Sequence, residues 1–300
     1  MEVISIINQK GGVAKTTTTR NMAYALASKF GKKVLLIDMD DSGNLSESFR
    51  KMPPEAPGDI QGTYELAGVA QLLCDRGCSV DSVIEPTEYE NIDIIPCNVG
   101  LAGAKVKIET DQMYPMQYRL SSKLKQLSGS DKYDFCLIDT KAGLDALVVN
   151  ALVASDSAII PTTVDKDSLL MVSRAIDAIE QISDYSAVAL RGVLFTMVNT
   201  RTSLERQGIT VLCGSLPYPV FDTYIRQSSA VRQTRWTYQM CDEGSKGSPA
   251  AMDYDNFVSE LLGKPPLHKD GASRKAFIER ENRKAEKARN RKKSVKNTGK

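Results

Sequence analysis

The chain has 300 residues, 42% hydrophobic and 25% charged, the proportions of a folded globular protein, which exclude a disordered chain or a disulfide miniprotein. No stretch reaches the roughly 18–20 apolar residues of a membrane span, and the opening MEVISIINQK has no basic-then-apolar leader, so a cytoplasmic location is expected. The formal net charge of +2 conceals a division: residues 264–300 hold 14 basic and 4 acidic side chains, whereas residues 1–263 hold 25 and 33, so a body of net −8 carries a tail of net +10.

The chain opens on a β-branched run at residues 3–8 (VISIIN), followed at once by the Gly-rich GGVAKTTTT. Residues 16–30 have helical spacing that stops at Gly31. Further buried strands are expected at residues 33–38 (KVLLID), 92–96 (IDIIP), 133–139 (YDFCLID), 157–161 (SAIIP) and 192–199 (GVLFTMVN), with helices at 64–74, 144–154 and 168–182. Continuous apolar strands alternating with helices imply an α/β fold, a mostly parallel, doubly wound sheet flanked by helices on both faces. The pattern ends at Gly263-Lys264-Pro265-Pro266, which divides a domain at 1–262 from a basic C-terminal extension at 263–300. Residues 272–293 have helical composition but only Phe277 and Ile278 are bulky, so a solvated helix or a disordered segment is expected. Such a basic tail suits a polyanionic partner or simple solvation. A membrane-surface helix needs a continuous apolar stripe, which this tail lacks.

Six cysteines are scattered without a C-x-x-C pair, and His268 is the single histidine, among prolines and lysines. Neither a zinc site, a redox pair nor histidine-based chemistry is suggested.

The strongest chemical signal is Lys10-Gly11-Gly12-Val13-Ala14-Lys15-Thr16-Thr17, between a buried strand and a helix. Glycines let backbone N–H groups surround phosphate oxygens, and the helix adds its positive end. Lys15 would reach the β- and γ-phosphates, and the Thr16 hydroxyl would coordinate Mg²⁺. The general phosphate-loop pattern fails at Gln9 and Ala14, and a second lysine, Lys10, stands at the start of the loop. Asp38-Met39-Asp40-Asp41 ends the second strand and Asp139 ends FCLID. Alone, Asp40 or Asp41 would more often be a helix cap or turn residue, and Asp139 is ambiguous; at the carboxyl ends of parallel strands beside a phosphate loop they can serve Mg²⁺ or an attacking water.

K-G-G-V-x-K-T-T resembles the deviant Walker A motif of the ParA/MinD family of P-loop ATPases. VLLIDMDDSGNLS resembles that family's second conserved segment, and YDFCLIDTKAG its Walker B stretch. The likeness continues through IDIIPCNVGLAGA, TMVNTRT, IRQSSAVRQ and EGSKG, covering roughly residues 1–262. It is strongest to ParA-type partition ATPases of the short, Soj-like group. The resemblance implies a homodimer that sandwiches two ATP molecules, with Lys10 of each subunit crossing into the partner's site. It implies Asp40 as the residue orienting the water, Asp38 and Asp139 as Mg²⁺ supports, and Asn199 and Pro217 near the adenine. Nonspecific DNA contacts would fall on Arg201, Arg226, Arg232 and Arg235, each of which reads otherwise as a solvated surface residue.

Three departures stand out. Ala14 replaces the usual glycine before the catalytic lysine, Asp41-Ser42 replaces Pro-Gln, and Lys141-Ala142 replaces Pro-Pro. The function expected is DNA partition of a plasmid, chromosome or integrative element, by a nucleoid-associated ATPase with weak intrinsic hydrolysis stimulated by a ParB-like centromere-binding partner. A MinD-like positioning ATPase and a weakly hydrolysing nucleotide-binding scaffold are the alternatives; no membrane partner is expected.

Overall fold

Strand β1 (Glu2–Ile6) leads through the glycine-rich loop into α1 (Lys15–Phe30), and β2 (Val34–Met39) follows. In this computed structural model the described residues are 1–49, 67–98, 100–202, 205–206, 208–209, 216–237, 239–244 and 247–297, with only the backbone described at 232, 235, 236, 285 and 288–297. The chain continues through α2 (Asn44–Phe49), α3 (Val69–Cys74), β3 (Glu85–Pro86), β4 (Ile92–Ile95), α4 (Leu101–Thr110) and α5 (Arg119–Leu124). Then come β5 (Phe135–Thr140), α6 (Ala146–Val153), β6 (Ser157–Thr162), α7 (Lys166–Gln181) and β7 (Ala189–Phe195). Four helices close the described chain: α8 (Ser229–Thr237), α9 (Cys241–Gly244), α10 (Pro249–Leu261) and α11 (Arg274–Asn297).

The sheet has seven strands in the order β3-β4-β2-β5-β1-β6-β7, parallel except for β3. Period-2 geometry sends alternate residues of each strand to opposite faces. Val34 and Leu36 of β2 join Met22, Leu26, Phe257 and Val258 on one side. Leu35 and Ile37 join Leu72, Leu101, Leu120 and Leu147 on the other. Both faces are thus covered, as the apolar runs imply, and the expected α/β architecture is observed. Helix α1 ends where Gly31 takes φ 61°, its N–H bonded to Ala27 O while Lys32 N–H reaches Leu26 O, a left-handed stop that suits glycine.

Local chemistry shifts several boundaries. α6 starts at Ala146 rather than at 144 because Asp145 accepts from the N–H groups of Leu147 and Val148. α7 starts at Lys166 because Asp165 caps it at Ser168 N. The helix expected from residue 64 begins at Val69; residues 64–66 lie outside the described residues. β3 has no alternating pattern to announce it, and its Pro86 sits at the sheet edge, where a missing N–H is tolerated.

The division expected after residue 262 does not mark the end of packing. Asn256 exchanges two hydrogen bonds with the backbone of His268 (2.7 and 2.8 Å), and Ala272 N–H donates to Asp253 Oδ1 at 2.8 Å. Gly271 passes so close to Asn256 that a Cβ would lie 1.9 Å from its Nδ2. Phe277 is 5% exposed and meets Tyr224 edge-on. The first turn of α11 is therefore part of the domain, and the solvated helix expected at 272–293 is solvated only beyond it.

Candidate functional site

β1, β2 and β5 are neighbours in the sheet, and their carboxyl ends converge on one crevice. Register does the placing: Ile6 pairs with Asp139, and Asp38 stands opposite Asp139 on the adjoining strand. The loop after β1 returns over these ends. Gly12 takes φ 75° and Ala14 φ 68°, the left-handed region that disfavours any residue with a Cβ. Ala14 occupies the N-cap of α1 and supplies no side-chain cap. The first N–H groups of α1 thus face a cleft of about 340 Å³ lined by Gly11, Gly12, Lys15, Thr16, Asp40 and Ala142 among others.

Lys15 is buried, its Nζ 3.3 Å from Lys10 O. Burial holds its pKa below the ordinary lysine range, and the carboxylates of Asp139 and Asp40 oppose that shift. Asp139 is fully buried; Oδ1 accepts from the Thr19 hydroxyl at 3.1 Å, and Oδ2 has no hydrogen-bond partner among the described residues. Burial first, and then the charge of Asp38, push the Asp139 carboxyl up to about 8. Asp38 rises to about 6, chiefly by burial, with hydrogen bonds from Ser46 opposing. Two buried carboxyls held facing each other call for a cation.

The two aspartates differ in availability. Asp38 Oδ2 accepts from the Ser46 N–H (2.8 Å) and hydroxyl (2.6 Å), and Oδ1 from Asp40 N–H (3.1 Å). It organises the loop that carries Asp40, whereas Asp139 presents a free oxygen. Among the described residues no group of three or more His, Cys, Asp or Glu forms a metal cage. The donor set of Asp139, Thr16 and Asp38 instead fits a hard cation that takes its other ligands from water and phosphate, as Mg²⁺ does.

Lys10 lies at the rim, 3.0 Å from Asp165 Oδ1 and 2.7 Å from Ser168 Oγ. Of the two loop lysines, one is sequestered and the other faces outward on a partner that is itself exposed. Arg20, not singled out by sequence, also lines the cleft; it is buried and binds Ser48 Oγ and Thr234 Oγ1 at 3.0 and 2.8 Å. A helical pattern conceals such a residue because its partners come from distant segments.

A second cleft of about 270 Å³ adjoins the loop, lined by Gly12, Thr17, Thr196, Met197, Ile225, Gln227 and others. Neither Asn199 nor Pro217 lines it. Asn199 Oδ1 instead accepts from Arg201 N–H at 3.1 Å, which ties the side chain into its own turn, and Pro217 is exposed. Thr196 and Met197, two and three residues before Asn199, are the wall-forming residues that sequence reasoning missed.

The arginines divide. Arg201 is exposed. Arg226 is not a free surface cation: it grips the fully buried Asp253 through Nε and Nη2 at 2.8 and 2.7 Å and reaches Pro249 O and Asp270 O at 3.2 Å. The side chains of Arg232 and Arg235 lie outside the described residues.

A family model described as an AAA domain matches residues 1–191. Sporulation initiation inhibitor protein Soj of Bacillus subtilis is 35% identical over 210 residues, 69% of this chain and 77% of Soj. Chromosome partitioning protein ParA of Caulobacter vibrioides is 32% identical over 235 residues, 78% of this chain and 83% of that protein. Among solved structures, cobyrinic acid a,c-diamide synthase of Mycobacterium smegmatis, with bound ADP and magnesium, matches with a TM-score of 0.69 at 26% identity, covering 87% of this chain and 94% of that one.

Proposed function

The chain belongs to the ParA/MinD family of P-loop ATPases, and from that premise we propose that it is a DNA-partition ATPase. It forms an ATP-bound homodimer that binds DNA without sequence preference and is reset by a ParB-like centromere-binding partner. It acts in the cytoplasm, on the nucleoid, and moves a plasmid, chromosome or integrative element.

The backbone N–H groups of residues 11–17 cradle the phosphates, and Lys15 neutralises their charge. Asp139 and Thr16 would hold Mg²⁺, with Asp38 behind them. When bound, that ion offsets the charge developing on the β- and γ-phosphates. Asp40, on the loop that Asp38 fastens, orients the attacking water. Lys10 leaves Asp165 and reaches the phosphates of the partner's nucleotide, so that dimerisation follows occupancy of the γ-phosphate position.

The observation that carries this reading is the pair of loop lysines, one buried in the cleft and one on its outer rim. A monomer with a complete site has no use for a second lysine facing away from it. The test is binding to random-sequence duplex DNA at moderate salt, with ATP and with ADP, alongside the oligomeric state. Tighter binding and dimer formation with ATP are expected; equal binding in both states with no dimer would overturn the gated switch.

A further inference from the structure

Helix α11 has no apolar stripe: beyond Ile278 its only bulky apolar residue is Val295. A helix that is polar all round gains little from packing along its length. Its root, however, is tightly held. Asp222, between β7 and α8, caps it, accepting from Lys275 N–H at 2.9 Å and from the Ser273 hydroxyl at 2.6 Å. Arg274 donates to Phe221 O at 2.6 Å and to Val220 O at 2.9 Å. The same segment runs on to Ile225 and Arg226, which line the second cleft, and Arg226 is also held by Asp270 O.

Past that root, Arg280, Arg283, Lys284 and Lys287 recur at i, i+3, i+4 and i+7, so they share one helical face, and all four are exposed. Two are near carboxylates of their own helix, Arg283 at 3.7 Å from Glu279 and Lys284 at 2.7 Å from Glu281. Exposed pairs of this kind yield to a competing phosphate. After Glu286 the sequence holds seven basic residues and no acidic one.

The chemistry of the partner follows from charge density and shape. Four cations along roughly 10 Å of helix, at 1.5 Å per residue, match a duplex that carries one negative charge per about 1.7 Å. A helix of about 10–12 Å diameter fits a major groove about 12 Å wide. An anionic membrane would need apolar side chains to insert, and this face has none.

We propose that α11 is a DNA arm, an exposed basic helix that grips the phosphates of duplex DNA in every nucleotide state while its root is fastened to the wall of the second cleft. The arm keeps the protein on DNA when the gated dimer contact opens. Duplex DNA as the ligand rests on the function proposed above; the charge and anchoring of the helix do not.

The test uses the full chain and a variant carrying Arg280→Gln, Arg283→Gln, Lys284→Gln and Lys287→Gln. Binding to a random-sequence duplex is followed across a salt series, with ADP and with ATP. In the variant the slope of log affinity against log salt falls by about three to four, at about 0.9 for each phosphate no longer neutralised. Binding with ADP falls at least about tenfold, as the removal of these cations requires. A chain ending at Asn282, which keeps the anchored root but lacks nine basic residues, shows losses at least as large, and thermal melts verify folding of both. Unchanged slope and affinity would overturn the arm, as would capture by anionic vesicles with duplex left free. ATP-gated DNA binding indifferent to these changes sinks the arm alone. No DNA binding by the parent chain in any nucleotide state sinks the proposed function with it.

Discussion

Lys141 Nζ lies 3.7 Å from the carboxylate of Asp41 and 2.8 Å from that of Asp145. The departures after β2 and after β5 thus face each other, on loops whose next residues, Asp40 and Ala142, line the phosphate cleft. A proline at 141 would leave these loops untied. Asp145, Asp41 and Asp40 together raise the lysine's pKa despite partial burial. In Lys141→Ala the cap of α6 survives, since Asp145 Oδ1 serves it independently. Stability is expected to change by about 1 kcal/mol or less, the usual worth of an ion pair that keeps some solvent contact, while the KM for ATP rises about two- to fivefold through loss of a nearby cation. A steady-state ATP titration of Lys141→Ala, Asp41→Ala and the double variant measures this. Three identical KM values would remove the pair from any role at the cleft.

Ala14 holds φ 68° without the freedom of glycine. Left-handed geometry costs an L-residue about 1–2 kcal/mol; glycine escapes that strain, and its larger loss of chain entropy on folding offsets part of the gain. Ala14→Gly is therefore expected to stabilise the nucleotide-free protein by about 1 kcal/mol, read from urea unfolding. A destabilised variant would show that the loop is not strained.

The two loop lysines are expected to separate by function. Lys15→Ala abolishes nucleotide binding, because the cleft loses its buried cation. Lys10→Ala leaves nucleotide binding by the monomer intact and prevents the ATP dimer. Asp40→Ala binds ATP and accumulates as a slowly hydrolysing, DNA-bound dimer. Fluorescent nucleotide titration with light scattering distinguishes the three, and ATP-driven dimers of Lys10→Ala would refute the crossed-lysine arrangement.

Arg226→Ala leaves Asp253, 0% exposed, without its guanidinium. Breaking a buried pair on one side costs about 3–5 kcal/mol. The variant should unfold at markedly lower urea, and any loss of DNA binding should track that instability. Native-like stability combined with lost DNA binding would return Arg226 to the DNA surface.

Asp165 receives hydrogen bonds from Thr163, Ser168 and Lys10, which overcome its desolvation and hold its carboxyl well below the usual range. A depressed folded-state pKa contributes stability that is present above the unfolded value of about 3.9 and is lost as pH falls below it. Asp165→Asn should therefore flatten the acid limb of the stability profile below about pH 4. A limb identical to that of the parent chain would exclude Asp165 as a source of acid sensitivity.

The sheet and the phosphate loop were legible because their signals are local. β1, β2, β5 and β6 are dominated by apolar residues, and the glycine–lysine loop sits between a strand and a helix by sequence alone. The carboxylates near the strand ends were legible for the same reason, since each directly follows an apolar run in the sequence. The clefts' other walls were not. Arg20, Thr196 and Met197 line the clefts through contacts set by packing, and no period of three or two distinguishes them from neighbours.

Sequence alone determined that this chain folds as a covered parallel sheet with a two-lysine phosphate loop, because hydrophobic periodicity and backbone freedom act over a few residues. Only the tertiary structure decided which charges are free to act. Asp38 and Asp139 each follow an isoleucine one residue before the end of their strands, yet Ser46 engages one while the other keeps an open oxygen. Arg226 and Arg283 are both arginines in a basic context, yet one neutralises a buried aspartate and the other stands in solvent. Availability of a charge depends on burial and on partners hundreds of residues or a single loop away, and those are properties of the packed chain.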